Sequence, residues 1–131
     1  MFKDFIELGE NKISFDMTEK FVDYKEIQNL LKEYNKIAKT KKDSDIKEKY
    51  RDLNEMLYKF ISYYLTEEEY NKLLKGYKNG FMYNSIIVTE ILNTLESQTK
   101  HLQNINEYFT NFIKPETTKI DNENEGLKED K

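Results

Sequence analysis

Over residues 81–113 the apolar side chains Val88, Ile91, Leu95, Leu102, Ile105, Phe109 and Phe112 recur at alternating steps of three and four, a heptad seam interrupted only at Gln98. That spacing predicts a long helix made to lie against another helix, and a single polar residue in such a seam sets register or partner number at some cost in stability. Over 5–17 the pattern is different. Phe5 and Glu7, then Ile13, Phe15 and Met17, alternate on either side of the turn-forming Gly9-Glu10-Asn11, which predicts a small β-hairpin. A lone hairpin is marginal in water, so one of its faces must pack on the helices or join the sheet of another subunit.

From about Asp23 the period turns helical. Ile27, Leu30, Leu31, Tyr34, Ile37 and Ala38 share one face of a first helix over 23–39. The polar run Lys39-Thr40-Lys41-Lys42-Asp43-Ser44 breaks it, with Asp43 or Ser44 placed to cap a second helix over 44–65. The stripe of that helix is Ile46, Tyr50, Leu53, Leu57, Phe60 and Tyr64, widened by Met56 and Ile61. So short a connection predicts an antiparallel helical pair. Thr66-Glu67-Glu68-Glu69 then reads as a capping box with an acidic first turn, opening a third helix over 67–78 with Tyr70, Leu73, Leu74 and Tyr77 on its apolar face. Its end is expected within 76–80, where Asn79-Gly80 can adopt the left-handed conformation.

A fourth helix over 82–113 would be roughly 45 Å long, against about 36 Å for a compact domain of this length. Either it breaks near Ser97-Gln98-Thr99, or its end runs beyond the domain and leaves Leu102, Ile105, Tyr108, Phe109, Phe112 and Ile113 in need of a partner. After Pro115 the chain is almost devoid of apolar residues, and 115–131 reads as a disordered polar tail. The predicted fold class is therefore mainly α, a bundle of about four helices with a small N-terminal β-hairpin, forming one domain over 1–114.

Composition narrows the function. The chain has 131 residues, enough for one core, and its ten Tyr and eight Phe supply large burial in a sequence that is 35% charged. With no cysteine there is no disulfide, thiol nucleophile or thiolate metal site. The net charge is −4 and Arg51 is the sole arginine, which removes the means for bidentate phosphate or guanine contacts; nucleic acid is not an expected partner. The N-terminus lacks a basic region followed by an apolar run, and no stretch approaches the ~20 apolar residues of a membrane helix. A soluble, cytoplasmic protein without a membrane partner is expected.

Candidate chemistry is sparse. Asp121, Glu123, Glu125 and Gly126 mimic the first half of a calcium loop, but glutamates stand where shorter ligands are wanted and no second helix follows. His101, the only histidine, lies beside the seam among amide and charged neighbours and reads as a surface residue. Glu67, Glu68 and Glu69 are explained by a first helical turn rather than by a metal. The basic run 36–51, with Tyr34 and Tyr50 near its ends, is interrupted by Asp43, Asp45 and Glu48 and reads as a solvated loop. No phosphate loop, nucleophile elbow or HExxH occurs. The expectation is a non-enzyme with no catalytic residue, metal or cofactor. Of the aromatic group Tyr63, Tyr64, Tyr77, Phe81, Met82 and Tyr83 most should be core, with edge members free for a partner. The candidate partner-binding residues are Leu102, Ile105, Tyr108, Phe109 and Phe112, together with Tyr83 and Phe81.

The hairpin FIELGENKISFDM, the helical pair over 21–65 running into YKFISYYLTEEEYNKLLK, and the step GYKNGFMYNSIIVTEILNTL resemble the tail assembly chaperones of long-tailed, siphovirus-type bacteriophages of Gram-positive bacteria. The resemblance covers about 5–95 and is one of architecture. It implies a non-enzymatic protein of the infected cell's cytoplasm, absent from the virion, that binds the tape measure protein, keeps its long apolar helices soluble and helps recruit tail tube protein. It also implies a longer form made by frameshifting near the end of a short reading frame. A homo-oligomer is expected, through the seam or the hairpin edge. The alternative class is a small acidic helical regulator or inhibitor acting by protein–protein binding, although acids and lysines are interspersed here rather than gathered on one face.

Overall fold

The computed structural model describes residues 2–40 and 45–122, with side chains as far as Phe112. The order of elements is β1 (Phe5–Leu8), β2 (Asn11–Ser14), a short 3-10 turn (Met17–Glu19), α1 (Tyr24–Thr40), α2 (Ile46–Tyr64), α3 (Glu67–Leu74) and α4 (Phe81–Asn122). Residues 3–96 make one compact unit, and the chain from Ser97 onward, with Phe2, makes a second. The architecture is mainly helical with one two-stranded antiparallel sheet, as the periodicity predicts.

In the hairpin Ile6 faces Ile13 and Leu8 faces Asn11. Alternation sends Ile6, Leu8, Ile13 and the following Phe15 into the core. Phe5 takes the other face, beneath the Lys3 and Lys12 ammonium groups. The strand pairing is shorter than the predicted 5–17. Asp16 accepts a hydrogen bond from the Thr18 N–H, and that cap turns Met17 into a 3-10 helix. At the turn, Gly9 has φ +60, and a Cβ there would collide with the Tyr77 hydroxyl, so both backbone and space demand glycine.

Helices α1 and α2 bury part of their predicted stripes. Ile27 and Leu30 are buried on α1, and Leu53, Leu57, Phe60, Ile61 and Tyr64 on α2, while Leu31, Ile46 and Tyr50 stay exposed. The proposed caps Asp43 and Ser44 lie outside the described residues. The capping box of α3 forms as read from the sequence. Thr66 Oγ1 accepts from the Glu69 N–H at 3.1 Å, and Glu69 Oε1 accepts from the Thr66 N–H at 2.9 Å.

Helix α3 stops four residues before its predicted end. Gly76 at φ +87 supplies the left-handed step expected of Asn79-Gly80. The hairpin secures that stop, because Asn11 Nδ2 donates to the carbonyls of Leu73 (2.8 Å) and Lys75 (2.7 Å), groups a helix C-terminus leaves open. Helix α4 has helical backbone through Ser97-Gln98-Thr99 and on to Asn122, past the predicted end at 113. Pro115 removes one N–H from the ladder, a local cost that does not end the backbone helix. The predicted tail 115–131 thus overlaps α4 by eight residues, and 123–131 lie outside the described residues.

The core of the 3–96 unit gathers both strands and all four helices around Ile6, Ile61, Leu73, Ile87 and Ile91. The open edge of β1 is closed by side chains. Thr94 Oγ1 donates to the Phe5 carbonyl at 3.1 Å, Lys3 Nζ donates to the same carbonyl at 2.6 Å, and Glu90 Oε1 accepts from the Glu7 N–H at 3.1 Å. Lys3 and Glu90 pair at 3.0 Å across this edge. One face of the hairpin thus packs on the helices, and the Phe5 carbonyl and Glu7 N–H at the edge of β1 are occupied from within the chain.

Candidate protein-interaction surface

Helix α4 carries the surface, and its polar and apolar positions are handled differently along its length. Asn84, Ile87, Ile91, Thr94 and Gln98 are buried, again at steps of three and four. The buried phase is therefore one residue ahead of the predicted seam at two points. Val88 and Leu95 are only partly buried at its margin, and Ile87 and Thr94 take the centre.

The reason is that the polar members are satisfied. Tyr70 donates its hydroxyl to Asn84 Oδ1 at 2.7 Å, and Asn84 Nδ2 donates to Asn54 Oδ1 (2.8 Å) and Asn79 Oδ1 (2.9 Å). Thr94 donates to the Phe5 carbonyl and accepts from Lys3 Nζ at 2.8 Å. A buried amide or hydroxyl with its partners in place costs little, whereas a bare one is expensive. Sequence periodicity carries no signal for either residue, since Asn and Thr read as surface positions.

From Thr99 to Phe112 every side chain is exposed. Leu102 and Ile105 show just over a third of their surface, Phe109 55%, and Tyr108 and Phe112 67% each. These five form a continuous aromatic and aliphatic strip. Tyr108 meets Phe109 edge-on at 6.0 Å and stacks on Phe112 at 6.4 Å, the contact expected four residues along a helix. A strip of this size on one helical face is the kind of surface that proteins cover with a partner.

The other two candidates belong to the 3–96 unit. Tyr83 is partly buried against the core with its ring 4.9 Å from that of Tyr77, and Phe81 meets Tyr50 edge-on at 4.8 Å. Both rings have neighbours within that unit, whereas Tyr108, Phe109 and Phe112 have ring contacts with one another along the strip.

The remaining candidate groups have structural employment. His101 is exposed with the Phe2 ring 4.6 Å away. Glu69 serves the capping box and lies 3.6 Å from Lys20 Nζ. Arg51 is exposed, with its guanidinium 3.8 Å from Asp52. Among the described residues no three His, Cys, Asp or Glu side chains converge to hold a metal, and no helix is long and apolar enough to cross a membrane. The side chains of the calcium-loop mimic at 121–126 lie outside the described part. Burial raises the Tyr70 and Tyr64 phenols, and both belong to the core rather than to the strip.

No protein-family model, curated protein or solved structure matches this chain.

Proposed function

We propose that this protein is a non-enzymatic tail assembly chaperone of a long-tailed bacteriophage, acting in the host cytoplasm by binding the helical tape measure protein and keeping it soluble during tail assembly. The observation that carries this reading is the exposed strip Leu102, Ile105, Tyr108, Phe109 and Phe112 on one helix. A long, apolar, helical client presents complementary stripes, and laying one helix along another covers both without any chemistry being performed. The resemblance of the hairpin and helix order to such chaperones supplies the client; the strip supplies the means of holding it.

The test is co-expression with the tape measure protein of the same genome. The expected result is a soluble complex that co-purifies, and the variant carrying Ile105→Asp and Phe109→Asp should lose the client while keeping its helical circular dichroism. A tape measure protein that remains insoluble beside folded chaperone refutes the proposal.

A further inference from the structure

The strip on α4 also has the features of a surface made for its own copy. Within 97–112 the only charged residues are Lys100 and Glu107, in a chain that is 35% charged, and both lie on the side of the helix away from the strip. The positions flanking its seam residues Leu102, Ile105, Phe109 and Phe112 are Thr99, His101, Asn106 and the strip's own Tyr108. Flanking charges normally select a partner, and between identical chains a flank charge can meet its own like. Uncharged flanks avoid that penalty, and a charge-depleted centre is typical of a protein interface.

The order of sizes sets the direction. Leu102 and Ile105 are aliphatic, Phe109 and Phe112 aromatic, and the spacing is symmetric about Glu107. Two copies running antiparallel set Leu102 of one against Phe112 of the other, and Ile105 against Phe109, so that each layer holds one large ring and one smaller side chain. A parallel pair would crowd four rings into two adjacent layers and underfill the other two, which close packing disfavours. At the two-fold axis the antiparallel pair brings Tyr108 beside Tyr108 on one flank and Asn106 beside Asn106 on the other, both self-complementary.

We propose that residues 102–112 form an antiparallel homodimer interface. Five side chains, roughly half exposed, offer about 500 Å² per copy and about 1,000 Å² for the pair, the lower bound of a specific interface. An interface at that lower bound is expected to exchange rather than to be permanent. Pairing does not depend on the client reading and is tested on the chain alone. Where the client reading also holds, the second copy covers the strip until a client helix replaces it.

The experiment is sedimentation equilibrium of the full chain over a concentration series, with far-UV circular dichroism as the check on folding. Wild type should approach twice the 15.8 kDa chain mass as concentration rises. Tyr108→Lys and Tyr108→Glu should each weaken association by about tenfold or more, and their equimolar mixture should regain it, because opposite charges then meet across the axis. Rescue by mixing is a readout that simple loss of folding cannot produce. A wild-type monomer at every concentration, or a mixture no tighter than either variant alone, overturns the inference.

Discussion

Replacing Asn84 with alanine tests the account of the core most directly. Asn84 is fully buried, and its amide joins Tyr70 on α3, Asn54 on α2 and Asn79 in the loop before α4. Truncation strips three hydrogen bonds, but the groups left behind fare differently. Asn79 is exposed and rehydrates, and Asn54 is half-buried. The Tyr70 hydroxyl, on a residue only 4% exposed, is left without its partner. An orphaned buried hydroxyl costs about 1–3 kcal/mol. With the small cavity added, the loss should be about 2–4 kcal/mol, or roughly 10–20 °C in Tm for a unit of this size.

The assay is urea and thermal unfolding followed by circular dichroism, run as a double-mutant cycle with Tyr70→Phe. Removing the hydroxyl as well removes the orphan, so the double variant should be more stable than additivity predicts, by about 1–2 kcal/mol. An Asn84→Ala protein within about 0.5 kcal/mol of wild type, or strictly additive losses, would show that the Tyr70 hydroxyl does not depend on Asn84.

Two further outcomes are expected. Gly9→Ala should destabilise by several kcal/mol because positive φ and the Tyr77 hydroxyl both oppose a Cβ; in a Tyr77→Ala background its added cost should fall to the ~1–2 kcal/mol of backbone strain alone, measurable by urea midpoint. Tyr70 and Tyr64 both titrate above their ordinary value of 10.0, chiefly because burial disfavours the phenolate. Above that pH the unfolded chain releases protons that the fold retains, so stability present below pH 10 is lost as pH rises; the urea midpoint should fall as pH is raised through 10, less steeply for Tyr64→Phe. A flat midpoint would contradict this.

Features whose physics is local are legible in the chain. Thr66 and Glu69 sit three residues apart, and their two hydrogen bonds need nothing beyond that turn, so the capping box could be read directly. The stripes of α1 and α2 and the hairpin around Gly9 were equally readable, because steps of three, four and two decide which side chains share a face. The same steps place Leu102, Ile105, Phe109 and Phe112 on one face of α4.

The fate of those faces depends on contacts between distant segments. The end of α3 depends on Asn11, about sixty residues earlier, reaching its last carbonyls. The burial of Asn84 and Thr94 depends on Tyr70, Asn54, Asn79, Lys3 and the Phe5 carbonyl arriving as partners. Along α4 one heptad pattern runs through both halves, yet Ile91 is enclosed and Phe109 and Phe112 are open. Residue order alone sets that pattern and the helices that carry it. Which positions are covered is set by distant segments, since burial is a property of what packs against a face and hydrogen-bond satisfaction a property of what reaches it.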